Sequence, residues 1–190
     1  MGRIQIELKD GSQREFEQGI SLAEVAESLS RSLAKSALAA KVNGQLVDLR
    51  YKLNENTKVD FVTFEDPEGK DTLRHSASHI LAQAVQRLYK DTKLAIGPAI
   101  ANGFYYDFDS VYSFTPEDIE KIQREMERIV KENLPIERVE VSREEAIKLF
   151  EAKGESYKVE LINDLPADVA ISLYKQGEFV DLCAGPHIPS

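Results

Sequence analysis

Cysteine, tryptophan and long apolar runs are scarce or missing in this sequence. Its 190 residues include one cysteine and no tryptophan, so a disulfide within the chain is excluded, and this usage fits a reducing, cytoplasmic setting. No apolar run approaches the roughly 18 residues that a membrane span requires, which excludes an integral membrane protein. The first residues alternate between polar and apolar types, so we expect no secretory signal.

Basic residues are also in short supply. The chain has 24 Lys and Arg against 33 Asp and Glu, a formal net charge of −9, which argues against a protein that binds nucleic acid mainly through a broad basic surface. The deficit is uneven, because residues 1–62 carry 9 basic and 9 acidic side chains whereas residues 63–190 carry 15 and 24. A polar stretch that contains proline and glycine, 65–71, lies between these parts, and we predict a linker there.

The first part has the pattern of a small β-sheet wrapped on one helix. Apolar residues alternate with polar ones from Ile4 to Leu8, as in a half-buried strand, and Asp10-Gly11 is typical of a hairpin turn. Ser21 and Glu24 have the spacing of a capping box ahead of an apolar helical stripe. We find no catalytic constellation in this part, since it contains neither histidine nor cysteine.

The second part alternates helices with strands. The apolar period predicts a helix from about residue 71 to residue 90. Two further helices are expected after Thr115, which precedes a proline, and after Ser142, which has Glu145 three residues later. Residues 157–161 and the two arms around Gln176-Gly177 are predicted to be strands.

The three histidines and the cysteine form two pairs with the same spacing. His75 and His79 lie four residues apart on the predicted helix, which places their side chains on one face. Cys183 and His187 are also four residues apart, but the glycine and proline between them exclude a regular helix. This second pair is therefore expected at the end of a strand and on the turn that follows.

The pairs alone leave several interpretations open. His75 and His79 point away from the apolar stripe of their helix, so they are either plain surface side chains or the lining of a groove. Alternation along the preceding strand places Asp181 and Cys183 on one face. Three imidazoles and a thiol can transfer protons near neutral pH or bind zinc, whereas a zinc protease is disfavoured because the His-Glu-x-x-His glutamate is missing.

These pairs resemble those of the editing domain of bacterial threonyl-tRNA synthetases, and the His-x3-His and Cys-x3-His spacing is shared with alanyl-tRNA editing proteins. The segments that carry the resemblance are Arg74-His75-Ser76-Ala77-Ser78-His79, Ala95-Ile96-Gly97-Pro98, Asn102-Gly103-Phe104-Tyr105-Tyr106-Asp107, Gly154-Glu155-Ser156-Tyr157-Lys158-Val159 and Asp181-Leu182-Cys183-Ala184-Gly185-Pro186-His187. The first part of the chain resembles the ubiquitin-like TGS module that precedes this editing domain in the family.

The resemblance implies an α+β fold in two domains. Residues 1–64 would form a β-grasp domain of the TGS type. Residues 65–190 would form an α+β editing domain, with an antiparallel sheet packed against helices, that ends early at its C-terminus. The family continues into a class II synthetase core that holds ATP, threonine and a further zinc, so we expect no aminoacylation by this chain. The full-length enzyme is expected to dimerise through that core, and this chain to be a monomer.

The implied reaction is hydrolysis of serine wrongly esterified to threonine tRNA. By resemblance, His75 orients or deprotonates the water, with His79 beside it in the catalytic set, and Lys158 stabilises the oxyanion or activates the water. Asp181 would bind the substrate ammonium, and Tyr106 would hold the sugar or the seryl group. Cys183 and His187 are expected to be wall residues that form hydrogen bonds, without a covalent step.

The expected partner is the acylated 3′ end of threonine tRNA, in the cytoplasm and without a membrane. We expect no metal for editing, and the alternative is zinc at the four residues of the two pairs. Two other functions stay open. One is a tRNA-positioning module without activity, and the other is a free-standing zinc-dependent ester hydrolase.

Overall fold

The computed structural model describes residues 2–190, which group into two compact units. The first unit contains residues up to Leu73 together with Gly185–Pro189, and the second contains Arg74–Ala184 with Ser190. The predicted boundary, between residues 64 and 65, falls nine residues before the change of unit after Leu73.

The first unit is a mixed five-stranded sheet with one helix packed on it. Its elements, in chain order, are β1 (Arg3–Leu8), β2 (Gln13–Glu17), β3 (Ile20–Ser21), α1 (Leu22–Leu29), α2 (Arg31–Ser36), β4 (Ala37–Val42), β5 (Gln45–Val47), β6 (Lys52–Leu53) and β7 (Thr57–Thr63). The strand order of the sheet is β2-β1-β7-β4-β5, with β1 parallel to β7 and the other neighbours antiparallel. β3 pairs with β6 in a separate ladder.

Local sequence signals explain how this unit folds. The predicted alternation places Ile4 and Ile6 in the core with Leu22 and Val25 of α1. The predicted capping box is present, because Ser21 accepts from the Glu24 backbone and the Glu24 carboxylate accepts from the Ser21 backbone. The predicted sheet on one helix is therefore confirmed in this unit.

The second unit contains a three-stranded antiparallel sheet, two short two-stranded ladders and four helices. Its elements, in chain order, are α3 (Pro67–Leu88, with residues from Arg74 onward in this unit), β8 (Lys93–Leu94), β9 (Ala99–Ile100), β10 (Gly103–Phe104), β11 (Phe108–Asp109), α4 (Pro116–Glu132), β12 (Glu137–Val141), α5 (Arg143–Ala152), α6 (Ser156–Asp164), β13 (Ile171–Gln176) and β14 (Phe179–Leu182). The sheet order is β12-β13-β14, while β8 pairs with β11 and β9 with β10.

Helices pack on this sheet as predicted, so the α+β architecture with an antiparallel sheet is confirmed. Phe150 of α5 and Ile162 of α6 pack with Leu173 of β13 in one buried cluster. α3 and α4 share a second cluster around Val85 and Ile129. The predicted helix starts at Thr115 and Ser142 are both capping boxes.

Two sequence-based expectations about elements are wrong. Residues 157–161 are not a strand but part of α6, because the polar residue Lys158 is buried together with Ile162, four residues later on the same helix face. The stretch 65–71 is not a continuous linker, since α3 begins at Pro67, which suits the first turn of a helix. No helix within residues 2–190 is long and apolar enough to cross a membrane.

Candidate functional site

The histidine pair of α3 lies in a largely enclosed part of the second unit. The rings of His75 and His79 meet edge to face, with centroids 5.2 Å apart. His79 is only 6% exposed and packs against Phe179 of β14, whereas His75 is half-buried. The interpretation of both histidines as plain surface side chains is therefore wrong, and the helix face that carries them is covered.

Cys183 follows directly after β14, at the predicted strand end. Its backbone N–H donates to the Ser172 carbonyl at 3.2 Å, and the Ser172 hydroxyl donates to the Cys183 carbonyl at 2.6 Å. These bonds hold the cysteine against β13. Its Sγ lies 3.3 Å from Nε2 of His75, and the side-chain nitrogen or sulfur atoms of His75, His79 and Cys183 lie within 4.8 Å of one another.

A closed network of three buried polar side chains lies beside this cluster. The Lys158 ammonium contacts Asp181 Oδ1 at 2.7 Å and donates to the Tyr106 hydroxyl at 3.0 Å. The Tyr106 hydroxyl donates in turn to Asp181 Oδ2 at 2.6 Å. The third proton of Lys158 goes to the Ala95 carbonyl at 2.6 Å, so the protein takes up all three ammonium donors.

Asp181 connects this network to the histidines. Its carboxylate also accepts from the Leu182 backbone at 2.8 Å, and Oδ2 lies 3.6 Å from Nε2 of His79. Because an ionised carboxylate has about four acceptor positions, the bonds to Lys158, Tyr106 and Leu182 leave room for one further donor.

Burial controls the protonation of this region. Burial, with smaller electrostatic effects from the neighbouring His75 and the Lys158 ammonium, holds the pKa of His79 well below its ordinary value, so this imidazole is neutral at pH 7. Burial and the Asp181 carboxylate raise the pKa of the Tyr106 phenol, which keeps its proton available for the bond to Asp181.

Ser78 and Gly97, which have no predicted role, contact the residues of the site. Ser78, which lies between His75 and His79 in the chain, is fully buried, and its hydroxyl is 2.6 Å from the Gly97 carbonyl. Gly97 in turn packs on the ring of Tyr106, where an added Cβ would lie 2.1 Å from Cδ2. Both residues lie in motifs that the sequence shows, Ser78 in the histidine motif and Gly97 in the motif Ala95-Ile96-Gly97-Pro98. Spacing along the chain, however, does not show that these two motifs are in contact.

Six of the seven predicted site residues belong to the second unit and come together there: His75, His79, Tyr106, Lys158, Asp181 and Cys183. His187 lies in the Gly185–Pro189 segment that groups with the first unit. It is buried, and its backbone N–H donates to Asp48 Oδ1 at 2.7 Å. Its role in the site stays a prediction.

The donor set of the cluster fits zinc. Tetrahedral zinc bonds of about 2.0–2.1 Å to nitrogen and 2.3 Å to sulfur would place the two donor atoms about 3.5 Å apart. The 3.3 Å between His75 Nε2 and Cys183 Sγ is close to that separation. The same atoms also suit proton transfer without a metal, because imidazole and thiol groups exchange protons near neutral pH.

The chain is similar to known proteins both over its first unit and over nearly its whole length. Residues 4–63 match the TGS domain family, so the chain combines a TGS domain with an α+β unit that carries the polar site. Over 187 residues, 98% of the chain, it is 60% identical to the threonine--tRNA ligases of Clostridium kluyveri and Carboxydothermus hydrogenoformans, and 59% identical to that of Acetivibrio thermocellus.

The chain spans about 30% of the length of these curated relatives, 29% for C. kluyveri and 30% for C. hydrogenoformans. The TGS match and this identity make the chain similar to threonine--tRNA ligases over nearly its whole length.

Proposed function

We propose that this chain is an editing hydrolase, which cleaves the ester bond of serine wrongly attached to threonine tRNA. The observation that carries the proposal is the meeting of His75, His79 and Cys183 next to the buried network of Lys158, Tyr106 and Asp181. The chain that holds them is similar to threonine--tRNA ligases, whose reaction creates the need for editing.

The need for editing follows from the sizes of the two amino acids. Serine lacks one methyl group of threonine, and a missing methyl gives a synthetic site only about 1–3 kcal/mol of discrimination. A second pocket can apply the opposite test, because it can accept serine and reject the larger threonine by steric clash. The dense packing around His79 and Tyr106 is suited to such a test.

His75 is the proposed base. It is half-buried, and it lies beside the more enclosed His79, so a water molecule that reaches the cluster meets His75 first. General-base help of this kind contributes about 10²–10⁴ in rate. His79, neutral because of its lowered pKa, takes part through its position between His75 and Asp181.

Lys158 supplies the positive charge for the oxyanion that develops during ester attack. Since its three N–H groups are bound to protein acceptors, we propose that it acts through its field in the largely water-excluded site. Asp181 has one acceptor position left for the substrate ammonium. Tyr106 positions the sugar or seryl group.

Cys183 and His187 are proposed as wall residues that hydrogen-bond to the substrate or to their neighbours. A covalent role for the thiol is not part of the proposal, because a cysteine–histidine dyad would leave the other two histidines unexplained. The tRNA body is proposed to be bound mainly elsewhere, since the chain is acidic, and this site takes the acylated 3′ end.

Incubation of the chain with seryl-tRNA and threonyl-tRNA tests the proposal. We expect rapid ester loss from the seryl form only, and a loss of rate of about 10²-fold or more in His75→Ala. Arg74→Ala, the preceding residue on α3, is the matched control and should keep the wild-type rate. Retention of tRNA without hydrolysis of either ester would overturn the proposal in favour of a tRNA-positioning module.

A zinc-dependent hydrolase is the second candidate, and the donor set of His75, His79 and Cys183 favours it. These residues, with His187 by prediction, would hold the ion, which would lower the pKa of a bound water. Our first proposal uses no metal. Elemental analysis that finds one zinc per chain, with activity lost on chelation, would replace it with the second.

A further inference from the structure

Glu155 occupies the N-cap position of α6 but does not cap that helix. An acidic N-cap side chain ordinarily accepts from the backbone N–H groups of its own first turn, and no such bond is formed here. The carboxylate instead reaches two other elements. Oε2 accepts from the backbone N–H of Leu94 in β8 at 2.8 Å, and Oε1 accepts from Nε2 of Gln86 in α3 at 2.6 Å.

The bond to β8 lies next to the one that holds the ammonium of Lys158. Leu94 is bound by Glu155, and the next carbonyl, that of Ala95, accepts from Lys158 Nζ at 2.6 Å. Glu155 and Lys158 are three residues apart on the chain, and the Lys158 N–H donates to the Glu155 carbonyl. The side chains of Glu155 and Lys158, at the start of α6, therefore bind two consecutive residues, Leu94 at the end of β8 and Ala95 directly after it.

This arrangement is unfavourable for a purely structural contact. Glu155 is only 4% exposed, and its two hydrogen-bond partners are neutral amides. A buried carboxylate whose hydrogen-bond partners are neutral is destabilising, and burial raises the pKa of Glu155 although Lys158 and Lys153 act in the opposite direction. Since apolar side chains in place of buried charged groups are often equally or more stabilising, the stability of the fold does not account for the hydrogen bonds of Glu155.

We propose that Glu155 is a positioning residue for ester hydrolysis, because its grip on Leu94 fixes the Ala95 carbonyl and thereby the ammonium of Lys158. The inference rests on the proposed function for the reaction concerned. It assigns Glu155 no contact with the substrate. The proposed role depends on the length of the Glu155 side chain, which lets its carboxylate oxygens accept from Leu94.

Two conservative variants separate reach from charge. Glu155→Gln keeps the length and an acceptor for Leu94, and Gln86 can turn its own amide to match. Glu155→Asp keeps the charge but is one methylene shorter. We expect kcat for seryl-tRNA to stay within about threefold of wild type in Glu155→Gln and to fall by about 10²-fold in Glu155→Asp, with KM little changed, since misplacement of about 1 Å costs a factor of that order.

Gln86→Ala is the matched control, because it removes the other partner of the same carboxylate and leaves the bond to β8. It should keep kcat within about threefold of wild type. A wild-type rate in Glu155→Asp, or an equal loss in Glu155→Gln, would overturn the proposal.

A second measurement does not depend on activity. An amine-reactive acetylating reagent, read out by mass spectrometry, reports how well Lys158 is held, with the exposed Lys153 as internal reference. We expect Lys158 to be protected in the wild type and in Glu155→Gln, and to be labelled several-fold faster in Glu155→Asp. Unchanged protection in Glu155→Asp would overturn the proposal, whereas an inactive wild type with this labelling pattern would instead overturn the editing function.

Discussion

At the scale of single residues, the site depends on polar side chains that satisfy one another away from water. Lys158 and Asp181 are each at most 2% exposed, and such a pair is tolerated only when hydrogen bonds complete both partners. The Tyr106 hydroxyl completes both, because it accepts from Lys158 and donates to Asp181. Loss of this one oxygen would therefore remove a hydrogen bond from both Lys158 and Asp181.

Tyr106→Phe removes that oxygen and keeps the ring. We expect the free energy of unfolding to fall by about 1–3 kcal/mol, because a donor of Lys158 and a lone pair of Asp181 are left unsatisfied. Urea unfolding followed by circular dichroism measures the change. The neighbouring Tyr105 is 41% exposed, so Tyr105→Phe is the control, and an equal effect in both variants would contradict the argument.

Gly97→Ala tests whether the ring of Tyr106 is held by close contact. The added Cβ would lie 2.1 Å from the ring, so the ring or the loop must move, and overpacking of this kind costs about 1–3 kcal/mol. Gly103→Ala is the control, since nothing lies within 4 Å of the added Cβ there. Thermal unfolding should separate the two variants, and equal melting temperatures would show that the loop yields freely.

The residues of the site were only partly predictable from the sequence. The equal spacing of the two pairs groups His75 with Cys183, and their side chains lie within hydrogen-bond distance across the second unit, whereas their role in a site stays a prediction. The hydrogen-bond partners of Lys158 could not be predicted from the sequence, because a lysine is ordinarily exposed and nothing in the local pattern shows that its side chain points inward. Long-range contacts such as that between Lys158 and Ala95 arise from the fold as a whole.

At the scale of elements, capping signals predicted helix starts well and periodicity was less secure. Ser21, Thr115 and Ser142 all begin helices with the expected reciprocal bonds, because a cap is decided within four residues. Alternation between polar and apolar types predicts a strand over residues 157–161, which instead form part of α6. The buried Lys158 stands where a helical stripe would have an apolar residue, which hides the helical period.

Three acidic residues surround Arg87 where α3 meets α4 and the β13–β14 turn. Its guanidinium binds Glu125 and Glu132 of α4 and both carboxylate oxygens of Glu178. The hydrogen bonds from Arg87 lower the pKa of Glu178 from 4.5 to about 2. Between pH 4.5 and 2, Glu178 is protonated in the unfolded chain but ionised in the folded chain. The stabilisation from its ion pair is therefore present above pH 4.5 and is lost as the pH falls towards 2.

Glu178→Gln should therefore lower stability at pH 7 and weaken the decline between pH 4.5 and 2. Because Glu178 is more than half exposed, we expect a loss at pH 7 of no more than about 1 kcal/mol. Urea midpoints across this pH range give both quantities. Glu120→Gln, in an exposed pair with Arg124, is the control, and an acid limb that is unchanged in Glu178→Gln would contradict the assignment.

At the scale of the whole molecule, net charge limits how the proposed tRNA substrate can be bound. Acidic side chains outnumber basic ones by 33 to 24, so the chain as a whole repels phosphates. Each phosphate contact adds about −0.9 to the slope of log affinity against log salt on a duplex. A site that binds only the acylated 3′ end contacts few phosphates, so its affinity should depend only weakly on salt concentration.

We expect a slope between about −1 and −3 when the affinity for seryl-tRNA is measured from 50 to 200 mM KCl, equivalent to one to three phosphates. A seryl minihelix that contains only the acceptor stem should give nearly the same slope and affinity, because the contacts lie at the acylated end. Deacylated tRNA should bind more weakly at every salt concentration. A slope steeper than about −5, or loss of binding in the minihelix, would instead mean that this chain binds the tRNA body as well as the acylated end.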